Sequence, residues 1–332
     1  MPFNVVPIAG FTANIPVVHI GGSITQGTNV AAALRWVDLI GRHIGINTYH
    51  HITNYNAGIG GHNAWMDLVR LQTDLLAYSP SIVVIDCAVN NSGDIDKSTT
   101  EGLIRRIRTA LPDAFILLVY FGNYPNFATN DVTNSAAANK VYLKLLAANY
   151  DIAEVDADEY LAALVGAGTC TVGQYTIDGP HPTAYGNTVV FDILKPTILN
   201  YFPIPATPQW TQDLADYDYL YDDGSYENTP IIRNATDSDA VSGTWAVVNT
   251  TQRQSTEANA ALTWTGTFQS FGLDEAITGA VAWSIDGGEF TTINFSVYPI
   301  ANMMLWSGAR AEHTVVVKVV SGTVTIKRFL AI

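Results

Sequence analysis

Across the first two hundred residues, short apolar runs alternate with longer stretches of helical period, the pattern of a parallel sheet wrapped by helices. Residues 16–20, 81–85 and 114–120 are β-branched or aromatic and too short for helices, and 48–56 and 152–155 are weaker strands of the same kind. Between them, residues 31–44 place Leu34, Val37, Ile40 and Ile44 at near-helical spacing, and 65–78 do so with Leu68, Leu71, Leu75 and Tyr78. Residues 131–149 and 183–201 read as two more helices, the second with a kink or break expected at Pro196. Five strands with intervening helices predict a three-layer α/β/α domain over residues 1–203.

The texture then changes. Pro203, Pro205 and Pro208 mark a boundary, and residues 213–239 hold eight acidic side chains against one basic, Arg233. Residues 204–240 therefore read as an acidic linker and the start of a second domain. Asp222-Asp223-Gly224 does not match the spacing of an EF-hand loop and reads as solvated linker. Residues 263–265, 280–284, 291–298, 313–320 and 323–329 have strand texture separated by Gly, Asp and Ser turns, which predicts a small all-β domain over 241–332.

Composition narrows the classes of function. With 332 residues, 48% hydrophobic and 14% charged, the chain is apolar enough to fold and too varied for a fibrous or disordered protein. A net charge of −14 repels phosphate backbones, so no nucleic-acid or anionic-membrane partner is expected. No run of about 18 apolar residues suggests a membrane span, and Met1-Pro2-Phe3-Asn4 has no basic region of the kind that opens a signal peptide. Cys87 and Cys170 are too few for a disulfide framework or a Cys-rich zinc site and leave one bridge open. Low charge with many Thr, Asn, Ala and Tyr suits an extracellular or virion-surface protein.

Four blocks carry candidate chemistry. In His19-Ile20-Gly21-Gly22-Ser23, a strand ends in two glycines that let the backbone bend and expose a hydroxyl at the carboxyl edge of the sheet, where ligands of open α/β sheets bind. Asp178-Gly179-Pro180-His181 offers an imidazole as base and a carboxylate to fix its tautomer. Asn56-Ala57-Gly58-Ile59-Gly60-Gly61 presents the Gly61 amide, and Ala88-Val89-Asn90-Asn91 presents the Asn90 carboxamide; both are the donors that an acyl-transfer oxyanion needs. Taken singly, each block also reads as a turn or a helix cap.

Their joint order resembles the SGNH (GDSL) hydrolases over about residues 16–201. That resemblance implies a flavodoxin-like α/β/α fold and esterase activity, with Ser23 as nucleophile, His181 as general base and Asp178 orienting it. The Ser23 and Gly61 amides and the Asn90 side chain would form the oxyanion hole, and no metal or organic cofactor is implied. Two departures stand out: Gly22 occupies the position of the family's Asp before the serine, and Ala88 and Asn91 replace a Gly and an Asp around Asn90. They put in doubt the hydrogen bonds that hold the nucleophile turn and the Asn90 loop.

The loops after the strands, with Asn91, Ser92, Asn123, Tyr124 and Asn126, are polar and aromatic, which favours a short acyl group on a polar carrier. Asn91 and Tyr124 are the substrate contacts expected from this set. Residues 262–332 resemble galactose-binding-like jelly-roll sandwich modules through Thr265-Gly266-Thr267, Phe271-Gly272, Ser284-Ile285-Asp286-Gly287-Gly288 and Glu312-His313-Thr314-Val315. There Trp264, Trp283, Trp306 and Tyr298 are either core residues or stacking surfaces for sugar rings. The expectation is a serine esterase that removes O-acetyl groups from an acetylated carbohydrate or polysaccharide. The alternatives are a lipid or thioester hydrolase on the same triad, or a non-catalytic sugar-binding or virion-surface protein with a degenerate site.

Overall fold

The computed structural model describes residues 14–48, 51–200, 214, 217–221, 226, 230–295 and 303–332. The chain divides into two compact units, Met1–Asp222 and Asp223–Ile332. In the first, β1 (Asn14–Gly21), β2 (His51–Gly58), β3 (Ile82–Asp86), β4 (Phe115–Tyr120) and β5 (Ala153–Asp156) form a parallel sheet in the order β2-β1-β3-β4-β5, the flavodoxin-like arrangement. Gly21 pairs in register with Gly58 on one side and Asp86 on the other, so three strands end level at the carboxyl edge. Beneath that edge Ile15, Val17, Val84, Leu117 and Val119 are buried with Trp36, Val37 and Ile40 of a covering helix, each apolar side chain worth about 1.5–3 kcal/mol.

The helices are α1 (Ser23–Gln26), α2 (Trp36–Thr48), α3 (Ala64–Asp74), α4 (Gly93–Ala110), α5 (Ala137–Asn149), α6 (Ala157–Gly166), α7 (Val172–Tyr175) and α8 (Ala184–Asn200). The helix expected from residue 131 begins only at Ala137. Before it, Asp131 accepts the Thr133 amide and hydroxyl and Asn134 accepts the Ala136 amide, local bonds that replace a helical turn. α8 runs through Pro196 without the expected break; Leu194 and Ile198, buried on either side, hold it to the core.

α4 is absent from the helices expected from the sequence; it buries Leu103, Ile104 and Ile107 together with Asp96, Thr99, Thr100, Glu101, Arg105 and Arg108. Residues 217–221 lie back along it. Glu101 accepts the amides of Leu220 and Tyr221, Arg105 donates to the Tyr217 carbonyl and stacks on Tyr219, and the Ser98 hydroxyl donates to the Tyr221 carbonyl. This docking carries the first unit to Asp222, whereas the proline-marked boundary lies at 203, and it fixes a segment read as solvated linker. Asp222-Asp223-Gly224 itself lies outside the described residues. Cys87 and Cys170 are free thiols, and among the described residues no helix is long and apolar enough to cross a membrane.

The second unit is antiparallel all-β: β6 (Ile231–Asn234), β7 (Ala240–Ser242), β8 (Ala246–Val247), β9 (Arg253–Ser255), β10 (Ala261–Ile277), β11 (Ala280–Ile285), β12 (Thr291–Asn294), β13 (Met303–Ser321) and β14 (Val324–Ala331). The long β10 pairs with β13 through two register shifts and with β14 over its second half, so one strand serves two parts of the fold. Its core holds Leu262, Trp264, Phe268, Phe271, Val317 and Phe329. Trp264 is fully buried and stacked on Phe329, which makes it core and no surface for sugar; Trp283 and Trp306 pack against the same core, and Tyr298 lies outside the described residues. Asp286 and His313 form an ion pair there, with Asp286 Oδ2 2.7 Å from His313 Nδ1.

Candidate active site

Ser23 is the first residue of α1, two residues beyond the end of β1. The turn is tight: a Cβ on Gly21 would lie 2.2 Å from the Asp86 carbonyl oxygen, a fixed backbone atom, and one on Gly22 would lie 2.4 Å from the side-chain atom Asn90 Nδ2. At Gly22, where the motif usually has Asp, the Asn90 amide lies over the space a side chain would enter. Gly22 is the N-cap of α1 and has no side chain to cap it. Asp86, at the end of β3, does so from across the sheet: its carboxylate accepts the Thr25 hydroxyl at 2.9 Å and the Thr25 backbone N–H, the third amide of the helix. The turn is also tied through the Gly21 carbonyl, which accepts the Ile59 amide at 3.0 Å and Arg70 Nη2 at 3.3 Å.

Burial pushes the Asp86 carboxyl up to about 7, against the lowering effect of the Thr25 bonds and with a further upward push from Asp67. An unfolded Asp titrates near 3.9. Between about pH 4 and 7 the folded state therefore binds more protons than the unfolded one, and stability falls as pH rises through that window. Asp86→Asn keeps an acceptor for Thr25 without the charge. Melting temperature measured against pH is expected to lose this slope in the variant and to exceed wild type above pH 7; parallel curves would show that Asp86 does not titrate there.

His181 lies in the loop between α7 and α8, with Nε2 2.8 Å from Ser23 Oγ and Nδ1 2.7 Å from Asp178 Oδ2. The loop is held locally: Asp178 Oδ1 accepts the His181 amide at 3.0 Å, and the Thr176 hydroxyl donates to the His181 carbonyl at 2.9 Å. Partial burial opposes ionisation of Asp178, but the bonds from the His181 ring and amide and the nearby imidazole charge outweigh it and hold the carboxyl below its ordinary value. Serine, imidazole and carboxylate thus lie in hydrogen-bonded series, the arrangement in which an imidazole takes the hydroxyl proton while a carboxylate fixes its tautomer.

Gly61, with φ +79°, sits in the loop between β2 and α3, where a positive φ favours glycine. Asn90 Nδ2 donates one hydrogen to the His62 carbonyl at 2.9 Å, which orients the carboxamide and leaves its second N–H to donate elsewhere. The space beside Ser23, lined by Gly22, Asp86, Val89 and Asn90, is about 10 Å3, about one water molecule's worth.

Two expected substrate contacts are corrected. Asn91 is buried, its Oδ1 accepting the Ala64 amide at the start of α3 and its Nδ2 donating to Thr100 and Tyr142. Tyr124 is fully buried and donates to Asp158 Oδ1. Both spend their polar atoms on the scaffold: Asn91 ties the Asn90 loop to α3, α4 and α5. Asp86 is the residue that sequence reasoning missed; a carboxylate closing the apolar run Ile82-Val83-Val84-Ile85 at the sheet edge was its signal.

The chain thus combines a parallel α/β domain, with Ser23, His181 and Asp178 in hydrogen-bonded series, and an antiparallel all-β module. Residues 19–189, more than half of the chain, match the GDSL-like lipase/acylhydrolase family, and the chain belongs to it. The SGNH resemblance is borne out. The whole chain is similar in fold to a two-domain esterase (CEX) active on acetylated mannans, with 19% identity and a TM-score of 0.80 over 96% of this chain and 91% of that one. The same esterase co-crystallized with mannopentaose gives 18% identity and a TM-score of 0.79 over the same shares. No protein of curated function matches the sequence.

Proposed function

We propose that the protein is a serine esterase that removes short acyl groups, O-acetyl above all, from a carbohydrate or polysaccharide. The observation that carries this reading is the series Ser23 Oγ–His181 Nε2 and His181 Nδ1–Asp178 Oδ2, at 2.8 and 2.7 Å. Ser23 Oγ attacks the acetyl carbonyl as His181 takes its proton, and the Ser23 amide, Gly61 amide and Asn90 carboxamide receive the oxyanion. The carbonyl C–O bond then breaks, the sugar oxygen leaves with the proton from His181, and water activated by the same imidazole releases acetate from the acyl-enzyme. No step needs a metal or an organic cofactor.

The small space beside Ser23 supports a short acyl group. The full-length likeness to an esterase active on acetylated mannans supports a polysaccharide carrier, and with it an extracellular or virion-surface location. Hydrolysis of p-nitrophenyl acetate, butyrate and octanoate tests the reading. The rate is expected to fall steeply with chain length and acetylated mannan to release acetate. Preference for octanoate would make the protein a lipid hydrolase, and inertness towards every ester would leave a sugar-binding protein with an idle site.

A further inference from the structure

A second cavity, about 210 Å3 in volume, opens beside the first unit's edge strand. Side chains alternate along β2. Asn54 and Asn56 turn inward, to His19 and the Val37 carbonyl and to the Thr25 carbonyl, while Tyr55, Ala57 and Ile59 share the opposite face. With Arg70 and Asp74 of α3 and with Tyr78, that face lines the cavity. The Tyr55 and Tyr78 rings stack at 3.9 Å and form an aromatic wall, with Tyr78 40% exposed.

The polar groups select the ligand. Arg70 spends its guanidinium on Asp67, on Asp74 and on the Gly21 carbonyl, so two carboxylates face one cation and an anionic ligand is disfavoured. Asp74 accepts from Arg70 and Thr73, is partly exposed, and has lone pairs left for further donors. The volume is below the roughly 300–1,000 Å3 of pockets for drug-sized ligands, and the charged pair Arg70 and Asp74 set into a largely aromatic and apolar wall does not suit an acyl chain. What remains is a small, neutral, hydroxyl-rich ring with an apolar face for tyrosine. The cavity wall is bonded to the turn that carries Ser23: Ile59 lies two residues before Gly61 and, like Arg70, donates to the Gly21 carbonyl.

We propose that this cavity is a glycan subsite that holds an unreacting neutral pyranose of the polysaccharide, with Tyr55 and Tyr78 as its stacking wall and Asp74 as hydroxyl acceptor. The proposal rests on the carbohydrate-esterase reading. Remote binding of this kind orients a polymeric substrate and does not touch the chemistry of a small ester.

Two arms test it with the full chain. On acetylated mannan oligosaccharides, Tyr78→Ala is expected to raise KM about tenfold with kcat and p-nitrophenyl acetate hydrolysis unchanged, and Asp74→Asn to raise it in the same direction. By calorimetry on the Ser23→Ala protein, at least one of mannopentaose, xylopentaose and cellopentaose is expected to bind, and adding Tyr78→Ala to weaken it about tenfold. Equal KM values, or binding unchanged by Tyr78→Ala, or no binding of any of the three, overturns the subsite. Loss of p-nitrophenyl acetate hydrolysis in the wild type would instead sink the esterase reading, so the two failures are distinct.

Discussion

Ser23→Ala is expected to reduce turnover of p-nitrophenyl acetate by about 10⁶-fold, to background, and to eliminate the burst of acyl-enzyme. The size follows from the geometry: the Ser23 hydroxyl is the group in hydrogen-bond contact with His181 Nε2, so removing it leaves the base without a nucleophile. The oxyanion donors survive the change, since two are backbone amides and the third is the Asn90 side chain, held by the His62 carbonyl. Stability is expected to stay within about 0.5 kcal/mol of wild type, because Ser23 is half-buried and α1 is capped through Asp86 and Thr25. Stopped-flow kinetics with a melting curve checks both halves. A variant that keeps its rate would move the nucleophile elsewhere.

The sheet and the place where Ser23, His181 and Asp178 meet were legible because both follow from strand ends and the loops beside them. Apolar runs bounded by Gly and Asn gave β1, β3 and β4 to within two residues, and the blocks after them fall at one edge because Gly21, Gly58 and Asp86 are in register. What escaped is polar and buried. α4 buries Leu103, Ile104 and Ile107 at helical spacing, but Glu101, Arg105 and Arg108, which lie beneath residues 217–221, interleave with them and dilute the apolar period. Asn91 and Tyr124 escaped for the converse reason: a polar residue in a loop reads as exposed, but here each satisfies a partner inside the unit.

The two departures at the motifs have one physical account. Asn90 lies so close to the backbone at residue 22 that a side chain there would displace its amide, and glycine brings no side chain to cap α1. The carboxylate the helix requires comes instead from Asp86, on the strand paired with β1 at that position. Likewise Asn91 bonds to Ala64, Thr100 and Tyr142, holding the Asn90 loop from three helices. The Ser23 turn and the Asn90 side chain are therefore braced, by residues other than the ones a single block displays.

Asp178→Asn is expected to lower kcat by about 10³- to 10⁴-fold, less than loss of the serine but well beyond loss of one hydrogen bond. Asp178 uses its two oxygens differently: Oδ1 accepts the His181 amide and Oδ2 faces the ring at Nδ1. An asparagine keeps its carbonyl oxygen on the amide, which places its NH2 against Nδ1. That nitrogen must then accept, the ring proton moves to Nε2, and Nε2 can no longer take the Ser23 proton. Asp178→Ala is expected to do less harm, since water can accept from Nδ1 at a side chain 40% exposed and leave the productive tautomer available. Rates of the two variants, compared across pH, separate the causes: an Asn variant worse than Ala establishes tautomer control. Equal losses would reduce Asp178 to a charge beside His181, and unchanged rates would remove it from the mechanism.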